Sequence, residues 1–245
     1  MTRGRQGNTE SVDNYLKAIL VLEEAVLEEA GGVGAARKGR EAGGRVTVKS
    51  LAEELKVAPA SVTNMLQKLA GAVMPMVEYE RHRGVRLSKT GRRRALEVVR
   101  HHRLIETFLY EVLDYPIDEL HEEAERLEHF ISERFEERIA AKLGHPTRDP
   151  HGHLIPAMDG RMGSRDSLAL AEAERDGRFV VESVSDRDAA NLRRMEAWGM
   201  GPGARIEVKR AGAKKFKVRV VGGGKAFELT GEAARAVRIL RPAAK

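Results

Sequence analysis

Thr47-Val48-Lys49-Ser50-Leu51-Ala52-Glu53-Glu54-Leu55-Lys56-Val57-Ala58-Pro59-Ala60-Ser61-Val62-Thr63-Asn64-Met65-Leu66-Gln67-Lys68-Leu69 holds the pattern on which the fold turns. Leu51, Ala52 and Leu55 form a stripe at helical spacing, and Thr47 or Ser50 can cap it, the latter through the box Ser50-x-x-Glu53. Val57 sits in a turn. Pro59 suits the first turn of a second helix, where its missing N–H costs nothing. Val62, Met65, Leu66 and Leu69 give that helix its own stripe, and Gly71 can stop it in a left-handed conformation. Helix, short turn, helix at this size is a DNA-reading unit. Next, Met76-Val77-Glu78-Tyr79 and Val85-Arg86-Leu87-Ser88 are expected as strands around Arg81-His82-Arg83-Gly84, a wing with a basic tip.

Upstream, Val12, Leu16, Ile19, Leu20 and Leu27 predict an amphipathic helix over 10–29, followed at 31–44 by a glycine-rich loop carrying Arg37, Lys38 and Arg40. Downstream, the spacing predicts a long helix over 91–114, a break at Pro116, and one further helix over 117–143. Gly144, Pro146, Pro150, Gly152, Pro156 and Gly160 then punctuate a linker. Beyond residue 166 short apolar runs between glycine turns predict a small β-barrel interrupted by one helix near 186–198. The expected fold is α+β. A winged helix-turn-helix covers 1–90, an all-α dimerisation domain 91–145, a linker 146–165 and an SH3-like barrel 166–245.

The chain has 245 residues, 42% hydrophobic and 33% charged, which suits a folded protein of two or three domains. It has no cysteine, which excludes disulfides and thiolate metal sites. No apolar run approaches the ~18 residues of a membrane span, and Met1–Glu10 lacks the apolar core of a signal peptide. A cytoplasmic location without membrane contact is expected. The net charge of +6 is unevenly spread. Arg81–Arg94 holds seven bases and no acid, whereas Asp118–Glu137 holds nine acids against Arg126 and Arg134. Such a chain can meet a polyanion at one place and a cation at another.

The acidic segment contains His121-x-x-x-Glu125-x-x-Glu128-His129, and offsets of four, seven and eight put these side chains on one helix face. Imidazole and carboxylate suit a divalent first-row metal. His102 and Glu106 lie four apart on the preceding helix, which the short link at Pro116 would set antiparallel. An acidic helix face is more often merely solvated, and that explains Glu119, Glu122 and Glu123; it explains His129, beside Phe130 and Ile131, less well. Enzymatic patterns are weaker. Di-iron bundles want Glu-x-x-His on two helices, and only Asp118-x-x-His121 comes close. His-Glu-x-x-His, a phosphate-binding P-loop and a Ser-His-Asp set are absent.

In the reading unit, Ala58, Pro59, Ala60, Ser61, Thr63 and Asn64 fall at the N-terminal end of the second helix, where base edges are met. Ala60 can touch a thymine methyl, and Ser61, Thr63 and Asn64 can hydrogen-bond. No arginine lies on this face, so shape and phosphate contact, the latter from Arg81, Arg83 and Arg86, should carry much of the affinity.

These residues resemble the diphtheria-toxin-repressor family of metal-dependent regulators, including its manganese transport regulators. The carriers are Asp13-Asn14-Tyr15-Leu16, Val57–Leu69, Arg100-His101-His102-Arg103-Leu104, His121–His129, and Leu192-x-x-Met195-x-x-Trp198-Gly199-Met200-x-Pro202-Gly203 as the barrel's marker. The resemblance implies a primary metal set of Asn14, Glu125, Glu128 and His129. It implies an ancillary set of His102, Glu106 and His121, completed by Asp188 and Asn191 from the barrel, although Ser185-x-x-Asp188 also reads as a helix-capping box. Relatives carry Asp or Met at the Asn14 position. Lys17 stands where some manganese regulators place a second carboxylate, and Glu125 where iron-type members have Cys. An oxygen-and-imidazole site favours Mn2+, with Fe2+ second; Zn2+, Co2+ or Ni2+ can bind in vitro. The expected molecule is a homodimeric repressor of metal-uptake or metal-homeostasis genes. It would grip double-stranded operator DNA when metal fixes the reading head against the dimer core, with Phe108, Leu109, Phe130 and Phe135 available for the two-fold interface. The alternatives are a helical metal-storing or oxidising protein and a winged-helix regulator sensing a small organic ligand.

Overall fold

The computed structural model describes residues 3–29, 45–163, 167–174, 176–212 and 214–240, with side chains from Glu10 to Val26 in the first helix. The basic insertion expected at 31–44 lies outside the described residues. Contacts divide the chain into two units, Met1–Arg100 with Pro156–Arg161, and His101–Ile155 with Met162–Lys245.

In the first unit α1 (Arg3–Glu29) packs on α2 (Val48–Leu55), which packs on α3 (Pro59–Ala70). Leu16, Ile19, Leu20, Leu51, Val62 and Leu66 are buried, as their periodicity requires. Thr47 caps α2, its Oγ1 accepting from Ser50 N at 3.0 Å. Gly71 has φ −86 rather than the expected left-handed value; its N–H still donates to the Gln67 carbonyl, so the helix ends without reversing the chain. The wing is β1 (Val77–Glu80) against β2 (Gly84–Leu87), antiparallel with Val77 opposite Leu87. Gly84, at φ +95, is required there because a Cβ would stand 2.4 Å from the Val46 carbonyl oxygen.

Helix α4 (Lys89–Leu113) contributes residues to both units. In the first, Arg94 forks onto Asp13 at 2.8 and 2.7 Å, and Arg92 pairs with Glu23, whose other oxygen accepts from Leu87 N. Two bases of the positive run therefore hold α1 in place.

In the second unit the single helix expected over 117–143 is two helices, α5 (Leu120–Leu127) and α6 (Glu133–Lys142). Ser132 adopts an extended backbone and caps α6, its hydroxyl accepting from Phe135 N, a local bond that competes with helix continuation. Leu104, Ile139, Ala140 and Ile155 form one core; Ile105, Leu109, Leu120 and Ala124 form another. Leu109 is thus interior, whereas Phe130 and Phe135 are exposed. Ile155, Asp149 and His151, within the stretch expected as a linker, are buried.

The remainder is β3 (Ser167–Ala169), β4 (Gly177–Val184), α7 (Ala189–Ala197), β5 (Arg205–Gly212), β6 (Lys215–Val220), β7 (Phe227–Thr230), α8 (Gly231–Arg235) and β8 (Val237–Leu240). The antiparallel sheet has strand order β3-β8-β4-β5-β6-β7, with no β3–β7 pairing among the described residues, so the expected barrel is an open, SH3-like sheet. Its core is Phe179, Val181, Leu192, Met195, Ile206, Phe216, Val218 and Ile239.

Candidate metal centre

One turn of α4 aims His102 and Glu106 the same way, and both are buried, Glu106 completely. His102 Nε2 lies 3.1 Å from Glu106 Oε1, and its Nδ1 lies 2.5 Å from Glu128 Oε2. His121, from the first turn of α5, places Nδ1 3.9 Å from Glu106 Oε1 and 3.6 Å from Asp186 Oδ2. His102, Glu106, His121 and Asp186 each present a ligand atom within 4.8 Å of the others. Glu106 Oε2 and His121 Nδ1 are buried and make no hydrogen bond, a costly state unless a cation is taken up. Burial alone would raise the Glu106 carboxyl, but the charge and hydrogen bond of His102 hold it well below the usual range. Asp186 is held down in the same way, burial being outweighed by His121 and His153.

A second group, His102, Glu125 and Glu128, adjoins the first. Glu128 closes α5 as its C-terminal cap, and His129 lies beyond the helix, with Nε2 3.5 Å from Glu128 Oε1. The expected helix thus ends just before this pair, and His129 stands in the turn that follows α5. His101 steadies this turn, with Nδ1 3.3 Å from the Glu128 carbonyl oxygen and Nε2 2.9 Å from Glu136 Oε2.

Six further residues differ from their expected placement or were missed. Asp188 is the N-cap of α7, its Oδ1 accepting from Asn191 N at 3.0 Å, and Asn191 is buried in the first turn of that helix. It is Asp186, two residues earlier, that faces His121. Asp149, His151 and His153 form another group of close donors, obscured in the sequence by surrounding glycines and prolines. The available signal was compositional: seven of the eight histidines lie between His101 and His153. Asn14 sits on α1 in the other unit, with its Oδ1 buried and without a hydrogen bond.

In the reading unit Ala58, Pro59, Ala60, Ser61 and Asn64 are exposed. Thr63 is half-buried, its hydroxyl donating to the Pro59 carbonyl at 3.0 Å. A groove between α3 and the wing is lined by Thr47, Thr63, Gln67, Tyr79, Arg81 and Arg83. Arg83 pairs with Glu80 and Arg86 with Glu78, while Arg81, Lys89 and Arg93 are exposed.

Comparison with known proteins matches three family models in order. These are the iron dependent repressor N-terminal DNA binding domain over 39–85, the iron dependent repressor metal binding and dimerisation domain over 88–157, and the FeoA domain over 168–241. The iron-dependent repressor IdeR of Mycobacterium leprae is 29% identical over 202 residues, covering 77% of this chain and 86% of that one. A manganese-dependent transcriptional repressor solved in complex with manganese is 33% identical, with a TM-score of 0.79 over 94% of this chain and 99% of that one. ScaR with bound Zn2+ is 27% identical, with a TM-score of 0.73 over 94% and 99%.

Proposed function

The chain belongs to the iron-dependent repressor family, the metal-dependent DNA-binding regulators typified by the diphtheria toxin repressor, and from that premise we propose that Mn2+ is its physiological activator, with Fe2+ second. It is a metal-dependent transcriptional repressor and not an enzyme. The observation that carries the metal reading is the buried cluster in which Glu106 Oε2 and His121 Nδ1 lack hydrogen bonds. Manganese is favoured because every donor is oxygen or imidazole, and because a relative with similar coverage is manganese-dependent. The proposed regulated genes are those of metal uptake or homeostasis, and the proposed location is cytoplasmic.

We assign His102, Glu106, His121 and Asp186 to one centre, and Glu125, Glu128 and His129 to another, which Asn14 joins on the family pattern. A divalent ion supplies positive charge where these carboxylates otherwise repel. His102 touches a carboxylate of each group, so it couples their orientations. Ala58–Asn64 read base edges while Arg81, Arg83 and Arg86 meet phosphates. Exposed Phe130 and Phe135 suit a two-fold interface in a homodimer. The proposed domain limits are those read from the sequence. Metal loading and operator binding are linked reciprocally, by about 1–3 kcal/mol in typical cases.

Titration of an operator fragment with Mn2+, Fe2+ and Zn2+, with and without chelator, tests this. Metal should tighten binding by about 5- to 150-fold, and Glu128→Ala or His129→Ala should remove that gain while circular dichroism shows the fold retained. A normal metal response in either variant overturns the assignment.

A further inference from the structure

We propose that Asp149, His151 and His153 form a further divalent-cation position that shares Glu106 and Asp186 with the centre described above. The three residues each offer a ligand atom within 4.8 Å of the others. His151 is fully buried, and its Nε2 faces the Ile117 carbonyl oxygen at 3.2 Å. A carbonyl only accepts, so Nε2 carries the proton and Nδ1 presents a lone pair. That lone pair is aimed at Glu106 Oε2, 3.7 Å away; neither atom makes a hydrogen bond. Two buried electron-rich atoms so placed call for positive charge between them.

His153 closes the arrangement. Its Nδ1 stands 3.3 Å from Asp149 Oδ2 and 4.0 Å from Asp186 Oδ2, close to the separations of about 3–3.5 Å expected between donors on one ion with bonds of ~2.1 Å. Glu106 and Asp186 thus each turn toward histidines of both positions: Glu106 toward His102 and His151, Asp186 toward His121 and His153. Arg103 is the competing cation, its Nε 3.7 Å from Asp149 Oδ2, and its guanidinium also donates to the Leu154 carbonyl.

The loop is built to hold this geometry. Asp149 Oδ1 accepts from the backbone N–H of both His151 and His153 at 2.9 Å, leaving Oδ2 without a hydrogen bond. Val184 N donates to the His151 carbonyl, and Gly152, at φ +90, lets the loop lie where a Cβ would stand 2.2 Å from the Glu182 carbonyl oxygen. The donors come from oxygen and imidazole only, which suits Mn2+, Fe2+ or Zn2+.

The inference rests on the reading of His102, Glu106, His121 and Asp186 as a metal centre, and the test separates the two. The full-length chain, stripped with chelator, is dialysed against Mn2+ and its bound metal counted, with electron paramagnetic resonance of the same samples. Wild type should bind three ions per chain and show a signal broadened by spin coupling between carboxylate-bridged ions. His153→Ala, and the milder His153→Gln, should lose one ion and the broadening while retaining the other two. His121→Ala reports on the underlying centre. If it lowers the count and the His153 variants, folded by circular dichroism, match wild type in count and signal, the further position is refuted. If neither residue changes the count, the parent reading fails as well.

Discussion

His102 has a carboxylate against each ring nitrogen, Glu106 at 3.1 Å and Glu128 at 2.5 Å, so one imidazole joins the two donor groups. Whichever nitrogen coordinates, the other stays hydrogen-bonded and fixes the ring, the usual way a histidine ligand is oriented. At this scale the sequence offered Asp188 as either ligand or helix cap and passed over Asp186. Asp186 and Asp188 are both near the barrel's helix, and both are chemically able to coordinate or to cap. Asp188 occupies the cap, bonded to Asn191 N, and Asp186 faces His121. Asp188→Ala should therefore cost about 1 kcal/mol of stability and leave bound metal unchanged. Asp186→Ala should weaken metal binding by about 10-fold or more. Thermal melts and metal titrations of the two variants distinguish the roles, and the reverse pattern would return the ligand assignment to Asp188.

Among the elements, helix type and position were legible wherever an apolar stripe recurs, as in α1, α3 and α4. The break between α5 and α6 was not, because the stripe through Leu120, Leu127, Ile131 and Ile139 continues across it. Only the capping bond that the Phe135 N–H donates to the Ser132 hydroxyl reveals the interruption. The break matters, since it places Glu128 at a helix end where His101 can reach its carbonyl. Gly91 in the first turn of α4 shows local propensity losing to packing. Alanine would favour the helix by about 1 kcal/mol. Its Cβ, however, would stand 1.9 Å from the Met76 carbonyl oxygen, a backbone atom held by Ser88 N. Gly91→Ala should thus destabilise the first unit by a net of about 1–3 kcal/mol, measurable by denaturant unfolding; a gain in stability would show that β1 yields freely.

At the level of the whole molecule, donors from α4, α5, the Asp149–His153 loop and the segment before α7 meet within the second unit. An ion bound there stabilises only the folded state, by about 2.7 kcal/mol at one hundred times its dissociation constant. Removing metal with chelator should lower the thermal transition of that unit by about 5–10 °C, and calorimetry in which chelator leaves the melt unchanged would count against metal in this cluster. The sequence by itself determined the element types, the segregation of base from acid, and the His121–His129 and His102–Glu106 spacings, because these depend on neighbours within one or two turns. Tertiary structure alone decided that Asp186 rather than Asp188 meets His121, that Glu106 is shared, and that the stretch expected as a linker carries a buried histidine, His151. Those contacts join residues 15 to 65 positions apart, and no local periodicity encodes which distant side chains a fold will bring within reach of one another.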